Sequence, residues 1–519
     1  MAEGGINAAL GNIDPKDNWK IHAMDTIKEG VFLSNQRMAE LMTKNAESII
    51  LELEKYGAIF DRTPKGKIMQ RAFGAHTYRR TCHIGDRTGL EIMTVLVEQL
   101  YKHNITSMSE VFITKLLTNK NKINGAIGID LKSGKILVFN TKAIILATGG
   151  FARLYKITTN AWENVGDGIS LAYDIGAELM DMEMIQFHPT GIVYPEVARG
   201  ILVTESVRGE GGRLFNSKGE RFMKKYDPER MELSARDIVA RANYYEIFHG
   251  RGTKHGGVYL DITHKEKSFI HKKLPKMVKL FKEFADIDIT KEKMEVAPTA
   301  HYTMGGIRVD ADTCSTKIKG LYAAGEVAGG VHGANRLGGN SLIDILVFGK
   351  IAGKEAAKYA KKIKLEKINN SKIKKEEKRL KMPFGKKGIR PEKLKEELQQ
   401  IMWEDVGIIR NEKKLKKALK EINNLEKELD KIGISGNLQY NHSWMSYIDI
   451  CNMIIVAKLV IESALMRKES RGAHYRDDYP KTNEKYKFNI ICKKANNKLK
   501  LNAIKVPKYT GIAIKCQEK

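Results

Sequence analysis

Five cationic side chains stand in polar, glycine- and proline-rich segments where a hydrophobic core would not need them. His188 in "FHPTG" and His301 in "PTAHYTMGG" are expected in tight turns, while Arg208, Arg236 and Arg336 follow in other polar stretches. Guanidinium groups bind carboxylates through paired hydrogen bonds, and imidazoles add further donors. A single histidine is more often structural than a ligand. Together, the five residues predict a site that binds a dicarboxylate.

Glycine-rich turns predict a bound dinucleotide. They are "AEGG" (2–5), "ATGG" (147–150) and "AAGEVAGG" (323–330), joined by "ENVGDG" (163–168). Each turn alone is more often structural, but a buried strand that runs into glycine is typical of nucleotide-binding α/β domains. Glu326 follows the strand-ending Gly325 and is placed to accept hydrogen bonds from ribityl or ribose hydroxyls. Its structural alternative is to cap the next helix.

The elements that would position these groups follow from the apolar periodicity. Residues 88–102 repeat apolar positions at helical spacing, and residues 109–150 indicate short strands with turns at Asn124-Gly125 and Ser133-Gly134. A second strand-to-glycine segment at 320–330 leads into an apolar helical run. We therefore expect an α/β nucleotide-binding domain that is split by an intervening cap.

Length and charge exclude several classes of protein. The chain has 519 residues, 42% of them apolar, which suits two to four domains with a large core. Much of the formal net charge of +27 is lysine in helical runs such as 361–387, which are poor in aromatic residues. This pattern favours a solvated surface over a nucleic-acid site. We expect neither a secretory signal nor a transmembrane helix, so the default location is the cytoplasm.

The five cysteines do not form a motif. They are far apart in the sequence, without a CxxC pair or a clustered set of His and Cys ligands, at Cys82, Cys314, Cys451, Cys492 and Cys516. A disulfide framework, an iron–sulfur cluster or another metal site within this chain is therefore not expected.

Eight ordered stretches resemble the flavoprotein subunit of fumarate reductases and succinate dehydrogenases, including archaeal forms. The resemblance runs from Ala2 to about Pro480, nearly the whole chain. The stretches are "AEGGINAALGN", "RTGLEIM", "MEMIQFHPTG", "LVTESVRGEGGRLFN", "RDIVARA", "PTAHYTMGGIRVD", "GLYAAGEVAGGVHGANRLGGNSLIDILVFG" and "ESRGAHYRDDYP". The resemblance implies an FAD-dependent oxidoreductase that interconverts fumarate and succinate by hydride transfer at the flavin N5.

The resemblance also implies the fold. We expect a Rossmann-like FAD-binding domain, split by an α+β capping domain and followed by a helical domain and a small C-terminal region. The expected boundaries are 1–182 and 299–365 for the two parts of the FAD-binding domain, 183–298 for the cap, 366–470 for the helical domain and 471–519 for the C-terminal region.

The resemblance assigns the proton chemistry to Arg236, which would protonate fumarate or deprotonate succinate. A guanidinium is almost always protonated at neutral pH, so it can act as an acid only if its proton is replaced through a relay. Glu205 and Arg208 match that relay.

Four further residues match the substrate-binding groups of the family. His188 and Thr204 match the residues that hold one carboxylate, and His301 and Arg336 match those that hold and polarise the other. Hydride delivery to one alkene carbon builds negative charge on the other carbon and on its carboxylate. Fixed cations at that position stabilise the transition state more than the ground state.

The positions that contact the flavin in the family are matched by Ala2, Glu3, Gly4, Gly5, Gly149, Asp167, Glu326, Ser341 and Leu342. Ser341 and Leu342 have the structural alternative of beginning a helix. Glu3 leans toward fumarate reduction, since succinate dehydrogenases tend to have Gln there. Covalent attachment of FAD is not predicted, because the attachment histidine of the family is not in this chain.

In the family, "AEGG" is preceded by a βαβ start whose GxGxxG turn holds the flavin pyrophosphate at a helix N-terminus. Met1 falls where the family has an interior residue. We therefore expect the upstream genomic sequence to continue in frame for about 35 to 50 codons and to encode that unit. The 519-residue form is expected to hold FAD poorly.

Two alternatives and the partners remain to be separated. L-aspartate oxidase has a similar scaffold, and "MWEDVGIIRN" (402–411) resembles it, whereas "QFHPTGIVYPE" and "SRGAHYRDDYP" favour the reductase. A non-enzymatic basic binding protein is opposed by the intact relay residues.

As the chain has no cysteine cluster, electrons are expected from an iron–sulfur subunit, and thiol coenzymes and a membrane quinone are both open as donors. Contact with a membrane would come only through such partners.

Overall fold

Helices make up the larger part of the regular structure. The computed structural model describes residues 3–506. The fourteen α-helices in this range are α1 (Trp19–Glu29), α2 (Gln36–Lys55), α3 (Thr88–Lys102), α4 (Asp167–Asp174), α5 (Ser206–Gly209), α6 (Met223–Tyr226), α7 (Arg236–Glu246), α8 (Lys267–Lys273), α9 (Pro275–Ala285), α10 (Asn340–Lys362), α11 (Asn370–Lys381), α12 (Pro391–Asp405), α13 (Glu412–Glu428) and α14 (His442–Met466). Helix α3 occupies the residues predicted from its periodicity.

The strands are shorter and form five small sheets among the described residues. They are β1 (Ile6–Asn7), β2 (Gln70–Arg71), β3 (Thr81–Cys82), β4 (Val111–Asn119), β5 (Lys122–Asp130), β6 (Lys135–Asn140), β7 (Ile144–Leu146), β8 (Leu179–Met180), β9 (Ile185–Ile192), β10 (Arg213–Phe215), β11 (Val258–Asp261), β12 (Met294–Thr303), β13 (Gly306–Arg308), β14 (Leu321–Ala323), β15 (Ala328–Gly329), β16 (Phe488–Ala495) and β17 (Lys498–Lys505). The predicted mixed α/β class is confirmed.

Asparagine side chains begin five of the helices. Each accepts a hydrogen bond from a backbone N–H of the first turn, which would otherwise lack a partner. The caps are Asn18, Asn35, Asn369, Asn411 and Asn441, for α1, α2, α11, α13 and α14. Helix α10 begins differently, after Gly339 with φ +81°.

Strands β7 and β14 are parallel neighbours, with Ile144 opposite Leu321 and Leu146 opposite Ala323. Both strands run into the glycine turns that the sequence singled out. Since parallel strands end at the same edge of a sheet, the "ATGG" and "AAGEVAGG" turns lie side by side. This edge faces the start of α10.

The β4–β5–β6 sheet corrects one predicted turn. Residues Lys120 and Asn121, both with positive φ, connect β4 to β5, whereas Asn124-Gly125 lies inside β5. Gly125 is needed there because a Cβ would lie 2.5 Å from the Phe139 carbonyl oxygen. Gly125 therefore allows the backbones of β5 and β6 to approach closely and does not form a hairpin turn. The turn at Ser133-Gly134 is confirmed, between β5 and β6.

The segment between the two halves of the nucleotide domain has its own sheet and core. Strands pair antiparallel in the order β10–β11–β12–β9, and apolar residues from this segment, such as Val207, Leu260 and Phe281, form a separate buried cluster. These features suit the predicted cap, although β12 continues past residue 298. The domain boundaries stay predictions.

A buried ionic cluster joins the C-terminal segment to the body of the protein. The guanidinium of Arg467 donates to Glu183 at 2.6 Å, Glu469 at 3.2 Å and Asp181 at 3.4 Å. Arg467, Glu183 and Glu469 are fully buried. Burying these carboxylates is tolerable because Arg467 pairs with all three and buried Arg471 also donates to Glu469, at 2.7 Å.

The structure has no helix within residues 3–506 that is long and apolar enough to cross a membrane.

Replacing Arg467 by Met should strongly destabilise the fold. The substitution leaves buried carboxylates without their cation, which costs about 3–5 kcal/mol of unfolding free energy. Arg62→Met is the control: Arg62 pairs with Glu54 at the surface, where such pairs contribute at most about 1 kcal/mol. Denaturant unfolding of both variants measures the difference. Equal losses of stability would contradict the role assigned to the Arg467 cluster.

Candidate active site

A cavity of about 850 Å³ opens where the β7–β14 edge, the start of α10 and the β10–β11–β12–β9 sheet, here called the capping sheet, meet. It brings together residues from distant parts of the sequence. The predicted site residues that line it are Glu3, Gly4, Gly5, His188, Thr204, Glu205, Arg236, His301, Glu326, Arg336, Ser341 and Leu342. The cavity therefore contains most of the substrate-binding and flavin-binding residues predicted from sequence.

Arg236, Glu205 and Arg208 are in the order expected of a relay. The Arg236 guanidinium donates from Nε to Glu205 Oε2 at 2.7 Å, and its Nη2 contacts the same oxygen. On the far side, Arg208 Nη2 lies 3.7 Å from Glu205 Oε1. All three residues are buried, and Arg208 lies behind the cavity wall. One carboxylate thus joins a guanidinium facing the cavity to one behind it.

The Glu205 carboxylate is held ionised by its surroundings. Burial alone would raise its pKa, but the charges of Arg236 and Arg208 and a hydrogen bond from the Gly74 amide lower the pKa to about 2. Burial lowers the pKa of the Arg208 guanidinium. An ionised carboxylate between two guanidiniums can accept a proton from one and pass it to the other.

His188 and His301 lie on adjacent strands rather than in the turns that were predicted. His188 is in β9 and His301 in β12, with ring centroids 5.0 Å apart. Pro189 is accommodated in β9 because the β9–β12 register shifts between Ala297 and Thr299, so a ladder hydrogen bond from that position is not required. The strand pairing places both imidazoles on one cavity wall.

Both imidazoles are neutral near pH 7 before any ligand binds. Burial and the charge of Arg236 lower the pKa of His188 and of His301 well below the ordinary value. The Thr159 hydroxyl lies 2.8 Å from His301 Nδ1 and fixes the plane of that ring. A neutral imidazole still offers one N–H donor to a carboxylate.

Arg336 and Thr204 complete the substrate side of the cavity. The Arg336 guanidinium lies over the Tyr302 ring, 4.1 Å from its centroid, and its Nε has no hydrogen-bond partner within residues 3–506. Burial and the charge of Arg236 lower the pKa of Arg336 to about 10, so it remains cationic at neutral pH. Thr204 Oγ1 accepts a hydrogen bond from the Ser206 amide at 3.3 Å.

The opposite wall fits a flat cofactor. Gly4 and Gly5 pack so closely that a Cβ on Gly5 would lie 2.5 Å from the Cys82 carbonyl oxygen. Ser341 and Leu342 belong to the first turn of α10, whose amide groups and dipole favour electronegative atoms. Buried Glu3 Oε2 lacks a hydrogen-bond partner among the described residues. At about 850 Å³ the cavity is also far larger than a four-carbon dicarboxylate needs.

Of the remaining predicted cofactor residues within residues 3–506, Glu326 lines this cavity and the others do not. Glu326 lines it and accepts hydrogen bonds from the Thr303 amide and hydroxyl, and burial raises its pKa to about 7. Gly149 and Asp167 lie away from its lining; Asp167 begins α4, and burial raises its pKa to about 6. Their assignment to the flavin stays a prediction. Ala2 lies outside the described residues.

Sequence reasoning missed Gln186 and Asn335. Gln186 accepts a hydrogen bond from Arg236 Nη1 at 3.0 Å, and it donates to Asn335 Oδ1 at 2.7 Å. The signal for Gln186 was the alternation of a strand, which places it on the same face as His188. Asn335 is the neighbour of Arg336 in the sequence, and nothing else in the pattern pointed to it.

Comparisons with known proteins agree with this geometry. Residues 1–342 match the FAD binding domain family, and residues 395–518 match the fumarate reductase flavoprotein C-terminal family. An uncharacterised FAD-dependent oxidoreductase of Methanocaldococcus jannaschii is 50% identical over 95% of this chain and 89% of its own length.

Relatives with named activities are similar over comparable lengths. A fumarate reductase (CoM/CoB) subunit of Methanothermobacter marburgensis is 46% identical over 95% of this chain and 89% of its own length. The structure of a mutant quinol fumarate reductase of E. coli superposes with a TM-score of 0.92 at 32% identity, covering 98% of this chain and 90% of that one. The chain therefore belongs to the FAD-binding flavoprotein family of fumarate reductases and succinate dehydrogenases.

Proposed function

We propose that this protein is the catalytic flavoprotein subunit of a fumarate reductase, with Arg236 as the proton donor to fumarate. The observation that carries the proposal is the position of Arg236, which lines the cavity while its other edge is paired with Glu205 and, beyond it, Arg208. A guanidinium placed in this way has both access to a bound substrate and a route by which its proton is replaced.

The substrate carboxylates are bound by the groups around Arg236. His188 and Thr204 hold one carboxylate, and His301 and Arg336 hold the other; all four residues line the same cavity. The cation of Arg336 stabilises negative charge that develops on its carboxylate during reduction. The cavity supplies cations and N–H donors and surrounds them with buried protein, which strengthens each of these contacts.

FAD bound against Gly4, Gly5, Ser341 and Leu342 would supply the hydride. The residues present fit that cofactor, because Gly4 and Gly5 line the cavity without side chains and the first turn of α10 has no side-chain cap. Glu326 is placed at the end of β14 to accept hydrogen bonds from hydroxyl groups. The protein's own task is to hold fumarate in register with Arg236 and to exclude water.

Electrons are proposed to arrive from an iron–sulfur partner subunit. The described cysteines are single and mostly buried, and burial raises the thiol pKa of Cys314 and Cys492 to about 12, so neither is a ready metal ligand or redox group. Within residues 3–506 no group of acidic, His or Cys side chains is arranged to hold a metal ion.

L-aspartate oxidation is the less favoured alternative. Relatives that are 38% or more identical to this chain include a fumarate reductase subunit and a succinate dehydrogenase flavoprotein subunit. An amino diacid also brings an ammonium group, and Glu205, the carboxylate beside Arg236, is already paired with two guanidiniums. The cationic character of the cavity suits a dianion without an ammonium group.

Arg236→Lys should reduce fumarate turnover at least about a hundredfold while the flavin content stays normal. Lysine keeps the charge but loses the planar fork that pairs with Glu205 and faces the cavity, and a positioned proton donor typically contributes that much. Reduced-dye oxidation with fumarate measures the effect. Arg251→Lys is the matched control, since Arg251 forms a similar pair with Glu246 away from the cavity. More than a tenth of the wild-type rate in Arg236→Lys would remove Arg236 from the acid role.

His301→Ala and Arg336→Ala should each raise KM for fumarate and lower kcat. These side chains contact charge that is present in the bound substrate and grows in the transition state, so both constants change. Steady-state kinetics at constant ionic strength measures the effect, with Arg308→Ala as control because Arg308 pairs with Glu178 outside the cavity. An unchanged KM in Arg336→Ala would count against the carboxylate clamp.

Purification from cells that make the protein natively should recover a second polypeptide with iron–sulfur absorption and electron paramagnetic resonance signals. The recovered complex should reduce fumarate, because its clusters connect the flavin to an electron donor. A monomer without clusters that produces peroxide rapidly from L-aspartate would instead establish the oxidase.

A further inference from the structure

One buried amide connects the two arginines of the substrate site. Gln186 Oε1 accepts from Arg236 Nη1 at 3.0 Å, and Gln186 Nε2 donates to the main-chain oxygen of Arg336 at 2.8 Å. Gln186 is fully buried. Its two ends therefore fix the proposed proton donor relative to the backbone that carries the carboxylate-binding cation.

Asn335 supplies a second acceptor at the NH₂ end of the Gln186 amide. Asn335 Oδ1 accepts from Gln186 Nε2 at 2.7 Å. Asn335 Nδ2 donates to Glu29 Oε1 at 2.7 Å and to Asp237 Oδ1 at 2.8 Å. Two carboxyl oxygens require a donor, so the NH₂ end of Asn335 must face them and its oxygen must face Gln186.

The charges around Asn335 hold it in this orientation. Asp237 Oδ2 pairs with Arg241 Nη1 at 2.8 Å, while its other oxygen, Oδ1, accepts from Asn335. Burial, with the charges of Asp237 and Glu205, raises the pKa of Glu29 well above its usual range. Arg236 and Arg230 act on Glu29 in the opposite sense. Asn335 Nδ2 therefore bridges two carboxyl groups, one at the end of α1 and one at the start of α7.

We propose that Asn335 is a positioning residue for the proton donor. Glu29 and Asp237 accept hydrogen bonds from the NH₂ group of Asn335, whose oxygen accepts from Gln186. The oxygen of Gln186 in turn accepts from Arg236 Nη1, while Glu205 holds Arg236 at Nε and Nη2. The guanidinium tip is then left to face the cavity. This inference rests on the proposed function of Arg236.

Reversing the polarity of residue 335 should misplace Arg236 without removing any group that touches substrate. In Asn335→Asp, an ionised carboxylate would repel Glu29 and Asp237 and would no longer donate to them. A protonated aspartic acid can donate one hydrogen bond and restores the polarity in part. The pKa of a carboxyl group at this position is raised by burial and by the two neighbouring carboxyl groups.

The test compares Asn335→Asp and Asn335→Ala with the wild-type holoenzyme, in complex with its partner subunit, by reduced-dye assay with fumarate. Asn335→Ala should lower kcat at least tenfold at every pH, while KM changes less than threefold and flavin content is unchanged. For Asn335→Asp, the ratio of its kcat to that of wild type should rise as pH falls and decrease as pH rises.

Asn489→Asp is the matched control. Asn489 is a buried amide that donates to Asp181 and to the Leu33 carbonyl, outside the cavity lining. Its substitution should affect stability, and its kcat ratio to wild type should not depend on pH. A pH-dependent ratio in this control would assign the effect to general loss of stability.

The outcomes separate this inference from the proposed function. If wild type does not reduce fumarate, the proposed function fails. If wild type is active and Asn335→Ala keeps kcat within twofold, or Asn335→Asp gives a flat ratio, the positioning role of Asn335 fails alone. Should Asn335→Ala not fold, the pH profile of Asn335→Asp decides, because that side chain has almost the same shape as asparagine.

Discussion

Buried cations in excess of buried carboxylates are the feature on which the rest of the site depends. The guanidiniums of Arg208, Arg236 and Arg336 are each less than a tenth exposed, and Glu205 is the carboxylate paired with two of them. Unbalanced buried charge is costly, and guanidiniums do not lose their protons at neutral pH. The dianionic substrate of the proposed function would supply the missing negative charge. The interaction that binds the substrate is then the same one that neutralises the excess positive charge of the cavity. The lowered pKa values of His188 and His301 favour neutral imidazoles, so these two side chains add no further positive charge before a substrate binds.

The fold serves this electrostatic arrangement by bringing the cations from separate elements. Arg236 begins α7, Arg208 belongs to the short helix α5, and Arg336 precedes α10, so no single segment carries the site. The capping sheet has its own core, while the ionic cluster around Arg467 anchors the C-terminal strands to the body. Such a construction lets the cavity walls be polar, because the apolar clusters that stabilise the chain lie elsewhere.

The sequence predicted residue types at the site better than their local geometry. His188 and His301 were expected in turns because proline and glycine surround them, yet both lie in strands, where a register shift accommodates Pro189. Gly125 was interpreted as a turn and instead allows the Phe139 backbone to approach. Local composition carries no information on which distant backbone packs against a glycine or proline. The same limit explains why Glu29, about 300 residues from Asn335, gave no signal, whereas the local periodicity of residues 88–102 predicted α3.

The proposed proton transfer is the same for reducing fumarate and for oxidising succinate. In the proposed mechanism, microscopic reversibility makes the guanidinium that gives a proton to one carbon of fumarate the base that removes it from succinate, and the Glu205–Arg208 pair would carry the proton in either sense. The proposed carboxylate-binding groups, His188, Thr204, His301 and Arg336, would bind two carboxylates that both molecules share. What differs between the directions is the potential of the electrons at the flavin, which would be set by the groups beside the ring, such as Glu3 and the start of α10, and by the partner subunit. Under the proposed function, the physiological direction is a property of the electron path, whereas Arg236 and the residues that position it would determine how fast the proton is transferred in either direction.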